Sequence, residues 1–220
     1  MKLSHLVATI SIAIAATSFS SVYAASHGSI DKVLGSASVA SNEHYSDISL
    51  VNGSLKMASN SSAESISLVN GSIKLDDNVK IRTASTVNGS ITADDSLAVE
   101  QNLTTVNGKI NPGNNAVIGG HVETVNGDIW LENSEVGKDI TTVNGDITLD
   151  GNSVVKGDIV YKPRGKRKSF FGWSNNEKPV LRIAANALVE GNIVLQQHVE
   201  LQLENTALQD KVIYQINDGR

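Results

Sequence analysis

Carboxylates that recur at matching places are the raw material of a calcium site. Asp128, Asp146 and Asp158 each follow a glycine in this chain of 220 residues. Ser54, Ser72, Ser90 and Lys109 hold the same place in other copies, and neither the Gly-Gly-x-Gly-x-Asp nonapeptide nor an EF-hand loop occurs. The acids therefore read as solvated surface charge. Asp76-Asp77 and Asp94-Asp95 read as exposed turn acids rather than a catalytic dyad. His5, His27, His44, His121 and His198 are scattered, with no metal-ligand spacing among them. The absence of cysteine excludes thiolate metal sites, disulfides and cysteine nucleophiles. A net charge of −5 gives no general reason to bind nucleic acid. No cofactor and no enzymatic activity are expected from this inventory.

Asparagine is the residue with a pattern. Val-Asn-Gly-x-(Ile/Leu) occurs six times, with the pairs Asn52-Gly53, Asn70-Gly71, Asn88-Gly89, Asn107-Gly108, Asn126-Gly127 and Asn144-Gly145. The intervals are 18, 18, 19, 19 and 18 residues, too regular for chance. A second motif lies between the copies: Asn, a few small or apolar residues, then Gly, as at Asn114, Asn133, Asn152 and Asn186, with a weaker copy at Asn205. Val69, Leu75, Ile81, Val87, Ala93 and Val99 stand six apart, and Ile73-x-Leu75 and Val79-x-Ile81 alternate as strands do. Three short strands per 18-residue unit predict a single-domain, all-β parallel solenoid of roughly triangular section, with about eight coils.

Asn-Gly tolerates positive φ and suits a sharp corner. It is also a hairpin signal, but identical units and the six-residue step favour stacking over a meander. Stacked, the six asparagines would lie about 4.8 Å apart and join their amides along the axis. A row of Asn that binds sugar or metal is the functional alternative. Ile73, Ile91, Ile110, Ile129 and Ile147 are expected to form an internal ladder beside this corner.

One stretch departs from the rhythm. From Asn152 to Asn186 is 34 residues where a coil needs 18, a surplus of 16. The pairs Lys162-Pro163 and Lys178-Pro179 bracket the excess as two extended legs. Residues 162–182 hold seven basic side chains against Glu177, a charge of +6. Phe170, Phe171 and Trp173 lie in the same stretch. Either the rings cover the solenoid flank while the charges solvate the tip, or Arg164, Lys166, Arg167, Lys168, Phe170, Phe171 and Trp173 contact an anionic partner.

The first residues are an address. Lys2 and His5 precede the apolar stretch 6–19, and Val22-Tyr23-Ala24 follows as a cleavage site, so a secretory signal peptide ending at Ala24 is expected. The stretch is too short for a membrane span, and no later one reaches 18 apolar residues. Removing Lys2 leaves 17 basic and 23 acidic residues, a net −6; outside residues 162–182 the mature chain carries 10 and 22, or −12. The expected organisation is residues 1–24 leader, 25–47 irregular start, 48–161 regular coils, 162–182 basic insertion and 183–220 final coils. Gln209, Asp210 and the charged end Asn217-Asp218-Gly219-Arg220 would cap one end.

The TVNGDI-type repeats behind a leader resemble the bacterial adhesin-type β-strand-repeat family, and more distantly the polymer-forming bactofilins. The resemblance covers residues 48–195. It implies an exported solenoid of the periplasm or cell surface with a structural or adhesive role. Its partner would be an anionic envelope component or another solenoid chain, which makes a homo-oligomer or polymer an alternative. A carbohydrate-active β-helix enzyme is disfavoured, since no Asp/Glu pair recurs beside an exposed Trp or Tyr in the sequence pattern.

Overall fold

Short alternating segments such as Ile73-Lys74-Leu75 lie extended, so their two apolar side chains face one way and the lysine the other. No single segment can bury its apolar face alone, and stacking one turn on the next closes it off. The computed structural model describes residues 28–164 and 178–216. It is a parallel β-solenoid of ten turns, each about 18 residues on from the last, with one six-residue 3-10 helix. At about 4.8 Å per turn, ten turns make a rod roughly 45 Å long.

Three faces run along the rod. The first is a nine-stranded parallel sheet from Ala37–Val39 to Glu200–Leu203. In the early turns one nine-residue strand (His44–Asn52, Ser62–Asn70, Lys80–Asn88) bends across the second and third faces. The alternation of buried and outward residues breaks at Glu64-Ser65 and Arg82-Thr83, and there the strand turns the corner. Later turns divide it: Lys80–Asn88 hands on to Ala98–Val99 on the second face and Leu103–Asn107 on the third.

The isoleucine ladder lies where the spacing placed it. Ile73, Ile91, Ile110, Ile129 and Ile147 are fully buried and pair in unbroken register, continued by Leu55 below and Leu181 above. Each such side chain contributes about 1.5–3 kcal/mol by leaving water. The six-residue apolar step is only partly a core signal. Leu75, Ile81 and Val99 are buried, but Val69, Val87 and Val125 stand outward and half-buried. The inward position beside each of these valines belongs to its neighbour: Leu68, Thr86 and Thr124.

Two further expectations change. The irregular start is regular: Ile30–Leu34 and Ala37–Val39 pair in register with the turn above. Leu34 stands where Asn52 does, so a search keyed on asparagine passes over this turn. That turn and a last one closed by Val212–Tyr214 raise the count from eight to ten. In the last turn the helix Thr206–Lys211 replaces a strand of the second face. Leu208 fills the core beneath it, and Lys211 Nζ caps the open carbonyls of Val189 and Glu190 at 2.7 and 2.8 Å. Asn217-Asp218-Gly219-Arg220 and the leader with Ala24 lie outside the described residues.

Candidate functional site

The asparagines form one continuous amide ladder on the rod surface. Nδ2 of Asn70, Asn88, Asn107, Asn126 and Asn144 each donates to Oδ1 of the asparagine one turn below, at 2.8–2.9 Å. Each rung's amide thus has a partner in the ladder, which accounts for the row without a ligand.

The glycines beside them have a different reason from the expected one. Gly53, Gly89, Gly108, Gly127 and Gly145 do not adopt positive φ. What they need is space. A Cβ on Gly127 would lie 2.0 Å from the Gly108 carbonyl oxygen, and one on Gly108 equally close to that of Gly89. The left-handed residues sit at the second corner, where Asn42, Asn60, Asn78, Ser96, Asn115 and Asn133 have φ between 46° and 64° and Gly151 takes 60°. Asparagine tolerates that conformation better than most side chains. The interleaved Asn…Gly motif therefore spans two corners, with Asn133 at the second and Gly137 at the third.

The acids are structural acceptors. Asp128 Oδ1 accepts from Asp146 N at 3.0 Å, and Asp146 Oδ1 accepts from Val180 N at 2.8 Å. Asp158 belongs to another column, at the third corner: Asp139 Oδ1 accepts from Asp158 N, and Asp158 Oδ1 from Asn192 N. Ser36, Ser54, Ser72 and Ser90 do for earlier turns what Asp128 and Asp146 do later, each Oγ accepting a backbone N–H from the turn above at 3.1–3.3 Å. Serine and aspartate interchange here because the place asks only for a short acceptor. Asp77 Oδ1 likewise takes Asp95 N, and Asp76 pairs with Lys56 at 3.3 Å. No group of three metal-ligating side chains gathers among the described residues.

The insertion leaves the rod at the first corner. Two residues beyond the paired Thr142 and Tyr161 stand Asn144 and Pro163, so Pro163 occupies the next rung of the asparagine ladder and ends it. Proline has no N–H, whereas Asn126 N and Asn144 N bond the valine carbonyl one turn below. The carbonyl of Val143 would go without. Gln197, buried, reaches across the gap: its Nε2 donates to Val143 O at 2.5 Å and to Lys162 O at 2.9 Å. The returning leg is tied by Tyr161 Oη to Val180 O at 3.1 Å and by Val180 N to Asp146. Burial, and then the nearby Asp146 carboxylate, push the Tyr161 hydroxyl well above its ordinary pKa of 10. Both legs border a shallow depression of about 480 Å³, lined by Asp128, Asn144, Asp146, Arg164, Lys178 and Pro179 among others. Of the seven residues proposed from sequence to meet an anionic partner, Arg164 lies on this rim. Lys166, Arg167, Lys168, Phe170, Phe171 and Trp173 lie outside the described residues.

Sequence reasoning passed over three features. Thr86, Thr105 and Thr124 point inward, and each Oγ1 donates to a corner-glycine carbonyl one turn below at 2.9–3.2 Å. Thr142 is equally buried, and its hydroxyl has no hydrogen-bond partner among the described residues. The change from Leu-Val-Asn-Gly to Thr-Val-Asn-Gly was the available signal. Gln197 carried none. Trp130 is 49% exposed on the first face, with Asp128 and Glu132 two residues to either side and both exposed. An acid pair therefore does stand beside an exposed aromatic at this position. No family model, curated protein or solved structure matches the chain.

Proposed function

We propose that this chain is an exported, non-enzymatic structural repeat protein of the bacterial envelope, whose rod holds one basic, aromatic excursion against an anionic surface. The observation that carries the reading is the anchoring of both legs at one corner. Asp146, Tyr161 and Gln197 fix residues 162 and 180 side by side, so the 13 residues between Arg164 and Lys178 leave and return at one point on a rigid support. Residues 162–182 carry seven basic side chains against Glu177, while the rest of the mature chain carries −12. Phosphate or carboxylate groups attract such a cluster, and arginine engages them bidentately. Tryptophan adds contact at a membrane–water boundary. No helix among the described residues is long and apolar enough to cross a membrane, which fits contact with a surface from outside it.

The test is deletion of residues 165–176, read by melting temperature and by binding to vesicles containing anionic phospholipid at low and moderate salt. Lost, salt-sensitive vesicle binding with unchanged melting supports the reading. Lost stability with unchanged, salt-insensitive association overturns it and leaves an intramolecular clasp on the acidic flank.

A solenoid polymer is the second reading. Among the described residues Ile30–Leu34 and Ala37–Val39 pair on one side only, and Leu34 is 76% exposed at that edge. Unpaired strand edges invite another chain. At the opposite end the helix Thr206–Lys211 and its Lys211 cap already cover the second face, so the two ends are not equally open. Sedimentation of the mature chain across a concentration series separates a monomeric rod from a polymer.

A further inference from the structure

Trp130 stands in a column where nothing else is apolar. Along the outer surface of the first face the register runs Lys74, Thr92 and Asn111 below it, then Thr148, Arg182 and Gln202 above. The ring is 49% exposed, so it does not serve the core, and the column itself shows that threonine satisfies the fold at this place. The indole is thus a flat apolar surface offered to solvent in an otherwise polar column.

The surroundings give the ring its chemistry. Glu132 lies on the same side of the strand Ile129–Glu132, about 6.6 Å along it, and Asp128 stands at the corner just before the strand, its Oδ1 accepting from Asp146 N. One turn above, about 4.8 Å off, Thr148 lies opposite Trp130 and Asp150 opposite Glu132, with Asp146 completing the row. The result is an aromatic ring on an open sheet face with hydrogen-bond acceptors along its own strand and on the turn above. A pyranose presents weakly positive C–H bonds on one face, which pack against the negative face of an aromatic ring. Its equatorial hydroxyls donate to carboxylates and threonine at the ring's edge. The Glu132 and Asp150 carboxylates on the ring's own strand and the next repel acidic sugars, and the open, flat sheet suits an extended chain rather than an enclosed monosaccharide.

We propose that Trp130 is the stacking platform of a binding site for a neutral, extended glycan laid across the first face, with Glu132, Thr148 and Asp150 accepting hydrogen bonds from its hydroxyls. The site adjoins the base of the basic excursion, where Asp146 holds Val180 N. Its ring and its acceptors Glu132, Thr148 and Asp150 lie on the first face outside residues 162–182, so a loop deletion and a Trp130 substitution test the two readings separately.

The test uses the full chain in a Trp173→Phe background, where Trp130 is the remaining one of two tryptophans. Indole fluorescence is titrated with cellohexaose, chitohexaose and mannohexaose, and with oligogalacturonate as the acidic counterpart. Saturable quenching or a blue shift with at least one neutral hexaose, and none with oligogalacturonate, is expected. Calorimetry with the same hexaose should show binding roughly tenfold weaker in Trp130→Thr, chosen because Thr92 and Thr148 already fill this column, and retained in Trp130→Tyr. The proposal is overturned by no saturable change with any of the three hexaoses, by equal affinity in Trp130→Thr at unchanged melting temperature, or by tighter binding of the acidic oligosaccharide.

Discussion

Replacing Gly127 with alanine tests whether space, rather than backbone conformation, dictates the corner. The new Cβ would sit 2.0 Å from Gly108 O and 2.4 Å from Gly108 C. An ordinary carbon–oxygen contact is about 3.3 Å, so the two turns would have to part locally by about 1.3 Å. Three hydrogen bonds straddle that gap: Gly108 N to Asn126 O at 3.0 Å, Ile110 N to Asp128 O at 2.8 Å, and Asn126 Nδ2 to Asn107 Oδ1 at 2.8 Å. A displacement of that size takes all three beyond bonding distance. At about 1 kcal/mol each, with residual strain added, the loss is about 3–4 kcal/mol. For a chain of this length that corresponds to roughly 10 °C in melting temperature. The same change at Gly53, whose Cβ would meet Gly35 O at 2.2 Å, should cost about half as much. Its lower neighbour is the first described turn, which among the described residues pairs only with the turn above. Thermal melts followed by far-UV circular dichroism, with urea titrations alongside, measure both. Gly127→Ala melting within about 2 °C of wild type, or Gly53→Ala losing more than Gly127→Ala, would refute the steric account.

Ile129→Asp places a carboxylate in a fully buried ladder, and a loss of several kcal/mol is expected by urea unfolding; a change under about 1 kcal/mol would remove Ile129 from the core. Gln197→Ala strips Val143 O and Lys162 O of their side-chain donor, at a cost of about 1–3 kcal/mol. Hydrogen exchange should also show the neighbourhood of residue 143 opening first in that variant. The Tyr161 hydroxyl ionises in the unfolded chain near its ordinary pKa of 10 but resists ionisation when folded. Its contribution is therefore whole below pH 10 and declines as pH rises above it. Melting temperatures taken at pH 9 and pH 11 should fall further for wild type than for Tyr161→Phe, and equal falls would place the alkaline sensitivity elsewhere.

The period was legible from the chain alone because a solenoid's contacts are local. Residue i meets residue i+18 or i+19, so every turn must solve the same packing problem with the same residues, and Asn-Gly and the isoleucine ladder recur in consequence. The first turn escaped because Leu34 breaks the motif while keeping the contact. What the structure alone decided depends on side-chain direction and on the turn above. Val87 and Thr86 are neighbours of similar shape, and only the pleat shows that threonine goes inward to bond a glycine carbonyl while valine faces out. The glycine of an Asn-Gly pair admits two explanations from sequence, and at Gly53, Gly89, Gly108, Gly127 and Gly145 the 1.9–2.2 Å approach of the neighbouring turn's carbonyl to a Cβ selects space over φ. Gln197 and Pro163 lie 34 residues apart and share no motif, yet the missing N–H of one gives the other its place. Trp130 acquired its meaning the same way. Its spacing from Asp128 and Glu132 was on the chain throughout, but its exposure, and the row of Asp146, Thr148 and Asp150 beside it, exist only once the turns are stacked in register.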